Sequence, residues 1–266
     1  MSAGEPAPLD EAALRVLCGI ADEAGRAIMS VYAGEVTAWQ KADASPLTEA
    51  DLRADAIIRT GLERHFPGVF ILSEESSSGE HGNPRTFFLV DPLDGTKEFL
   101  KRNGEFTVNI AFVQDGAPVA GVVLAPALDA LFYGVRGGPA RRRTAEVTTE
   151  IRVAPRPAGE PLRVVASRSH GDDSLARWLA QAGAHTVVPV GSSLKFCRIA
   201  EGLADVYPRF GPTSQWDTAA AQAVLEIAGG VVVGVDGAPV RYGLSRPILN
   251  PHFIAAASPR LLTPAS

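Results

Sequence analysis

Phe87-Phe88-Leu89-Val90-Asp91-Pro92-Leu93-Asp94-Gly95-Thr96 is the stretch on which the reading of the fold turns. Four consecutive apolar residues bounded by turn residues predict a buried strand. Two carboxylates follow at its end, where a short helix through Phe99 is expected to begin. A similar apolar run, Val69-Phe70-Ile71-Leu72, predicts a neighbouring strand upstream. Downstream, Thr107 to Val113, Val119 to Leu124 and Leu131 to Val135 read as a meander, with Asp115-Gly116 as a hairpin turn. Further out towards the N-terminus the period becomes helical. Leu14, Leu17, Cys18, Ala21, Ala24, Ile28 and Val31 line one face of a helix within Leu9 to Tyr32, and Gly34 stops it. Thr48-Glu49-Ala50-Asp51 is a capping signature that opens a second helix, ended by Pro67-Gly68. The segment Gly137 to Glu150, with Arg141, Arg142 and Arg143 in a row, predicts a charged surface loop.

Beyond Leu162 strands and helices alternate: strand Leu162 to Ala166, helix Asp172 to Ala182, strand Thr186 to Val190, helix Ser193 to Glu201, strand Asp205 to Arg209, helix Trp216 to Ala228, strand Val231 to Val235. Alternation of this kind predicts a doubly wound α/β half. The expected division is a disordered leader over residues 1–8, an α+β half with an antiparallel sheet over 9–158, and the α/β half over 159–266. The boundary falls in the Pro-rich stretch Ala154 to Pro161.

With 46% hydrophobic and 21% charged residues among 266, a disordered chain and a collagen-like fibre are both excluded. A formal charge of −5 argues against binding a nucleic acid polymer, although a small anion can still find a local site. Cys18 and Cys197 are too few and too far apart for a disulfide framework or a zinc cage, and suit a reducing cytosol. No run of 18 apolar residues predicts a transmembrane segment. The expected location is therefore cytoplasmic, with peripheral contact at the inner membrane as the alternative.

Asp91 and Asp94, at i and i+3 around a Pro turn, can present oxygens on one side, while Gly95 and Thr96 place amides at a helix start that favours phosphate. Carboxylates beside an anion site require a cation between them, and hard oxygen ligands select Mg²⁺ or Mn²⁺. Asp-Pro and Asp-Gly also simply make turns. Glu74-Glu75 follows its strand in the same way, as ligands or as a solvated loop. Asp217 opens the helix after Trp216, as a ligand or as its cap. Three acids at strand ends or helix starts in one chain together predict a metal site. There is no GxGxxG after a strand and no GxxxxGK[ST], which sets aside a dinucleotide fold and a P-loop.

Glu74-Glu75, then Asp91-Pro92-Leu93-Asp94-Gly95-Thr96, then Trp216-Asp217-Thr218-Ala219-Ala220 resemble, in order and spacing, the signature set of the inositol monophosphatase superfamily of Mg²⁺-dependent, lithium-sensitive phosphatases. Lys97-Glu98-Phe99 with Arg102 to Thr107, Ser167-Arg168-Ser169-His170, Gly191 to Cys197 and Tyr207 to Pro212 resemble its 3'(2'),5'-bisphosphate nucleotidase branch. The resemblance runs from about Leu9 to about Phe253. It implies a layered αβαβα sandwich and a phosphomonoesterase that removes the 3'-phosphate of adenosine 3',5'-bisphosphate, a by-product of sulfate activation, with 3'-phosphoadenylyl sulfate as a further substrate. It also implies a homodimer.

By the same resemblance, Glu74, Asp91, Asp94 and Asp217 with the carbonyl of Leu93 would hold two or three Mg²⁺ ions, Mn²⁺ being the alternative. Thr96, hydrogen-bonded towards Asp51, would activate water, and capping of the second helix is a compatible role for Asp51. Substrate would lie on Glu74, Leu93, Asp94, Gly95, Thr96 and Asp217, with His170, Gly191, Ser192, Lys195 and Arg209 around the remainder of a nucleotide bisphosphate. Arg102 is an additional phosphate candidate. Read on their own, Lys195 and Arg209 are surface charges and His170 a loop or capping histidine. The chain has Ala221-Gln222 where the family pattern carries Gly-His. An inositol monophosphate or fructose-1,6-bisphosphate phosphatase on the same metal site is the alternative enzyme, and a non-catalytic nucleotide- or metal-binding protein the alternative outside enzymes.

Overall fold

Asp10 accepts from the Ala13 N–H and so starts helix α1 (Glu11–Tyr32), whose buried stripe includes Leu14, Leu17, Cys18, Ala21, Ala24 and Ile28. A computed structural model describes residues 9–40, 46–76, 82–145, 147–154, 156, 159–167 and 173–262, so the expected leader lies outside it. A hairpin of β1 (Ala38–Gln40) and β2 (Pro46–Thr48) leads into α2 (Glu49–His65), capped as its sequence predicts by Thr48 and Asp51. Strands β3 (Phe70–Ser73) and β4 (Thr86–Asp94) follow, then the one-turn helix α3 (Thr96–Leu100). The meander is β5 (Thr107–Gln114), β6 (Ala117–Ala125) and β7 (Ala130–Val135). Asp115 and Gly116 take φ of 51° and 75°, the left-handed pair that a two-residue hairpin turn requires.

The expected loop after Gly137 is instead a further hairpin, β8 (Arg141–Thr144) and β9 (Val147–Glu150), which extends the sheet. Its arginines alternate between faces, as side chains on a strand must. Arg141 and Arg143 reach Glu11 and Asp22 of α1 at 2.9 and 2.5 Å, while Arg142 turns the other way to Glu201 at 3.2 Å. Three adjacent like charges resemble a solvated loop only while their partners, more than a hundred residues away for Arg141 and Arg143, are unknown.

The C-terminal part supplies β10 (Leu162–Ala166), α4 (Asp173–Gln181), β11 (His185–Pro189), α5 (Leu194–Ala200), β12 (Val206–Arg209), α6 (Gln215–Ile227), β13 (Val231–Gly234) and β14 (Phe253–Ala256). The seven-stranded sheet has the order β3-β4-β5-β6-β7-β8-β9, with β3 and β4 parallel and all later pairs antiparallel. The five-stranded sheet has the order β11-β10-β12-β14-β13. Its β10 runs parallel to β11 and β12, whereas β14 enters antiparallel between β12 and β13. Strand β14 is absent from the sequence reading because it is four residues long and follows an irregular stretch without periodicity.

The strands of the large sheet divide their side chains by face. Phe88, Val90, Ile110 and Phe112 pack under α1 and α2, while Phe87, Leu89, Ala111 and Val113 pack towards α5 and α6. The latter core continues without a break to Tyr207, Val232 and Phe253 of the small sheet, and a third cluster around Trp178 and Val206 places α4 on its outer side. The layers are therefore α1/α2, seven-stranded sheet, α5/α6, five-stranded sheet, α4, the expected αβαβα sandwich. Helix α6 lies unusually close to the large sheet. A Cβ on Gly121 of β6 would sit 2.1 Å from the Ala220 carbonyl, and Ala219, Ala220, Ala221 and Ala223 keep the helix equally slim. Among the described residues no helix is long and apolar enough to cross a membrane.

Candidate metal and substrate site

Regular pairing of β4 with β5 runs as far as Asp91 opposite Asn109, breaks, and resumes with Asp94 opposite Thr107. Pro92 lies in the break, where its missing N–H removes nothing from the ladder. The Leu93 N–H turns back to Asp91 Oδ1 at 3.0 Å, and the Asp94 Oδ2 accepts from the Ser193 N–H at 2.6 Å. Gly95 then takes φ 90°, a conformation that a side chain would strain, and Thr96 opens α3. The first amides of that helix have no partner within it. One bulge thus turns two aspartates, the Leu93 carbonyl and these N–H groups into a single cleft.

Because β3 runs parallel to β4 with Ser73 opposite Val90, Glu74 emerges beside Asp91. Helix α6 contributes Asp217 from its first turn. Carboxylate oxygens of Glu74, Asp91 and Asp217 lie within 4.8 Å of one another. Asp217 is also the helix cap of the alternative reading: its Oδ2 accepts from the Ser214 N–H at 2.8 Å in a capping box. Asp51 has the same double position on α2. Its Oδ2 accepts from the Thr48 N–H and hydroxyl at 2.8 and 2.6 Å, and its Oδ1 accepts from Thr96 Oγ1 at 3.3 Å. Capping occupies one oxygen of each aspartate, while Asp51 takes the Thr96 hydroxyl with the other and Asp217 lines the cleft.

Burial, then the charges of Glu74, Asp94, Asp217 and Asp51, raises the pKa of Asp91 well above the usual carboxylate range. Burial and Asp94 do the same for Asp217. Asp94 is pushed up to about 6 by burial, against the opposing pull of Lys195 and the Ser193 N–H. Such crowding of buried acids is what a cation relieves. The donors are all hard oxygens, three carboxylates converge, and a divalent ion of the Mg²⁺ type fits them.

The facing wall of this cleft of about 270 Å³ comes from the small-sheet side and includes Ser192, Lys195, Arg209 and Thr213. Lys195 is buried, not a surface charge. Its Nζ donates to the carbonyls of Val190, at 3.3 Å, and Ser192, and lies 5.3 Å from the centre of the Tyr207 ring. Burial lowers its pKa to about 8 despite the nearby Asp94. Arg209 Nη2 donates to the Pro212 carbonyl at 2.6 Å. Ser192 Oγ, Arg209 Nε and Thr213 Oγ1 are buried with no hydrogen-bond partner among the described residues. Buried polar atoms are rarely left so.

Gly191 permits a close approach, but to Glu105, whose carbonyl would lie 2.7 Å from a Cβ and whose Oε2 accepts from the Gly191 N–H at 2.8 Å. His170 lies outside the described residues. Arg102 is not in the cleft wall: its guanidinium donates to the Tyr32 and Gly34 carbonyls at 2.7 and 2.5 Å and stacks 5.2 Å from the Tyr32 ring, closing the C-terminus of α1. Its proximity in sequence to the acidic turn says nothing about where so long a side chain points. Thr213 is absent from the sequence reading, since a threonine before a helix cap carries no signal of its own.

The model of the inositol monophosphatase family matches residues 9–264 of the chain. The chain is 48% identical over 243 residues to 3'(2'),5'-bisphosphate nucleotidase CysQ of Escherichia coli (strain K12), covering 89% of this chain and 96% of that protein. It is 41% identical over 247 residues to the protein of the same name from Buchnera aphidicola subsp. Acyrthosiphon pisum, covering 91% and 92%. Among solved structures, CysQ from Bacteroides thetaiotaomicron, described as a bacterial member of the inositol monophosphatase family, superposes with a TM-score of 0.82 at 37% identity over 93% of this chain and 98% of that one. An inositol monophosphatase from Anabaena (Nostoc) sp. PCC 7120 gives 0.73 at 26% identity, over 94% and 92%.

Proposed function

The chain belongs to the inositol monophosphatase family, and from that premise we propose that it is a Mg²⁺-dependent phosphomonoesterase that releases the 3'-phosphate of adenosine 3',5'-bisphosphate, leaving AMP. The observation that carries the proposal is the pairing, in one cleft, of the acidic cluster with a wall that holds donors without a partner among the described residues. Glu74, Asp91 and Asp217 can hold a cation, and opposite them Arg209 Nε, Ser192 Oγ and Thr213 Oγ1 await polar groups of a ligand. A substrate with two anionic groups and a sugar between them meets both sides. Relatives named as bisphosphate nucleotidases support the same reading.

Glu74, Asp91, Asp94 and Asp217, with the Leu93 carbonyl, would hold two or three ions. Mg²⁺ in such a set neutralises phosphate charge and lowers the pKa of water. The remaining chemistry rests with the chain. The Thr96 hydroxyl donates a hydrogen bond to Asp51 Oδ1, which leaves its oxygen able to accept a proton from an attacking water while its own proton passes to the Asp51 carboxylate. The amides of Gly95 and Thr96 meet the scissile phosphate at the start of α3. Ser192 and Arg209 meet the second phosphate, and Lys195 supports that wall through the Val190 and Ser192 carbonyls. His170 belongs to the nucleoside end of the substrate. 3'-Phosphoadenylyl sulfate carries the same 3'-phosphate and is a second substrate of this reading, which places the enzyme in sulfur metabolism.

A polyol monophosphate has hydroxyls but no second anionic group to bring to Arg209, so it forgoes the charge-assisted bonds that a second phosphate makes there. The decisive experiment measures phosphate release from adenosine 3',5'-bisphosphate, myo-inositol 1-phosphate and fructose-1,6-bisphosphate with Mg²⁺, with chelator and with Li⁺, and includes Asp94→Asn. Nucleotide turnover that disappears with chelator, with Li⁺ and in the variant is expected. Faster turnover of the inositol monophosphate overturns the assignment of the second-phosphate wall, faster turnover of the fructose bisphosphate overturns the choice of a nucleotide substrate, and no turnover of any substrate overturns the enzyme reading.

A further inference from the structure

Directly beside the bulge of β4 lies a closed triangle of side-chain hydrogen bonds. Asn109 Nδ2 donates to Thr107 Oγ1 at 3.3 Å, Ser193 Oγ donates to Asn109 Oδ1 at 2.7 Å, and the Thr107 and Ser193 hydroxyls are 2.8 Å apart. With the Ser193 proton directed to Asn109, the Thr107 hydroxyl donates to Ser193. Each side chain then gives one bond and accepts one. Thr107 and Asn109 are 0% exposed and Ser193 2%. Polar groups so deeply buried are costly unless all are satisfied, and bonds in a ring polarise one another in the same sense.

The position of the triangle is as telling as its closure. Thr107 and Asn109 share a face of β5 with Ala111 and Val113, and that face is otherwise an apolar core. Polar residues interrupt it at the two register positions opposite the bulge, Asn109 facing Asp91 and Thr107 facing Asp94. The third corner comes from another layer. Ser193 stands at the N-cap position of α5 but its side chain makes no cap bond to the helix; its hydroxyl is fixed in the triangle instead, and its backbone N–H goes to Asp94 Oδ2 at 2.6 Å.

We propose that the Thr107–Asn109–Ser193 triangle is a positioning device for Asp94. It rests on the metal-site reading above. By locking Ser193 against β5, it fixes the direction of the Ser193 N–H, and that bond determines which Asp94 oxygen is turned to the Glu74, Asp91 and Asp217 cluster. None of the three triangle side chains needs to touch substrate; they act through a ligand, as outer partners of metal ligands commonly do.

The test uses the full-length, metal-free protein and reads Mn²⁺ binding by calorimetry without substrate, alongside phosphate release from adenosine 3',5'-bisphosphate. Ser193→Ala and Thr107→Val each open the triangle, and each is expected to weaken Mn²⁺ binding about tenfold and to lower kcat with little change in the KM for nucleotide. Because either substitution opens the same ring, the double variant is expected to be no worse than the singles. Thr107→Ser restores a hydroxyl and is expected to recover most of the affinity. Folded variants that bind Mn²⁺ within about twofold of the parent, or losses that simply add, overturn the proposal. Should Ser193→Ala not fold, the Thr107→Val and Thr107→Ser pair makes the same comparison. A parent protein that binds no Mn²⁺ overturns the metal-site reading itself, which is a different result.

Discussion

Asp51 and Asp217 each close a helix with one oxygen and also serve the cleft, Asp51 through Thr96 and Asp217 as part of its wall. The two roles can be separated at Asp217. Asn at this position still accepts the Ser214 N–H but presents no charge to a cation, whereas Ala loses both. Asp217→Asn and Asp217→Ala are therefore expected to lose Mg²⁺-dependent activity alike, by a hundredfold or more on the order of about 3 kcal/mol. Only Ala is expected to lose the cap as well, melting below the Asn variant by about 1 kcal/mol of stability. Equal melting of the two variants contradicts the double role. A second expectation concerns protons. Asp94 is held up to about 6 in the folded metal-free protein, above its value of about 4 in an unfolded chain. The folded state binds that proton more tightly, so its stabilising contribution is complete below about pH 4 and is lost as pH rises through about 6. Asp91 and Asp217 shift in the same direction. Metal-free protein is thus expected to melt lower at neutral pH than near pH 5, with Mg²⁺ closing the gap and Asp94→Asn reducing it. A calorimetric series across that range, in chelator and in Mg²⁺, checks this.

Among the elements, those with strong local signals were legible and those defined by distant partners were not. The run Phe87 to Val90, the acidic turn after it, and the Thr48–Asp51 cap declare themselves through period and spacing. The hairpin β8–β9 does not, because Arg141 and Arg143 are neutralised by α1 across a long stretch of chain. Nor does β14, which is short and completes a sheet begun far upstream. At the site, the acids were visible from their placement at strand ends and helix starts. The buried state of Lys195, the commitment of Arg102 to α1, and the buried Thr213 hydroxyl, without a partner among the described residues, depend on tertiary packing alone. One element-level expectation follows from the near-contact of β6 and α6. Gly121→Ala would place a methyl 2.1 Å from the Ala220 carbonyl, and backbone cannot yield as a flexible side chain does. The helix must move outwards, at a cost of about 1–3 kcal/mol. Since Asp217 rides on α6, the variant is also expected to need more Mg²⁺ for half-maximal activity. Urea unfolding and a Mg²⁺ titration of the same preparation read both effects, and a change in one without the other separates packing from ligand placement.

At the scale of the molecule, the cleft draws on several layers at once. Glu74, Asp91 and Asp94 come from the large sheet, Asp51 from α2, Asp217 from α6, and Arg209 from the small sheet. A cation bound among them stabilises the folded chain by mass action, by about 2.7 kcal/mol at a hundred times its dissociation constant. Addition of Mg²⁺ is accordingly expected to raise the melting temperature of the parent protein and not that of Asp91→Asn, as differential scanning calorimetry would show. The shared core has a further consequence, for the order in which the protein is made. The large sheet is complete by Glu150, yet the face carrying Leu72, Phe87, Leu89, Val113 and Phe132 is covered only when α5 and α6 arrive, ending at Ile227. At roughly 5–20 residues per second, the growing chain carries that greasy face bare for several seconds on the ribosome. This is the interval in which a chaperone that holds apolar surfaces has something to hold.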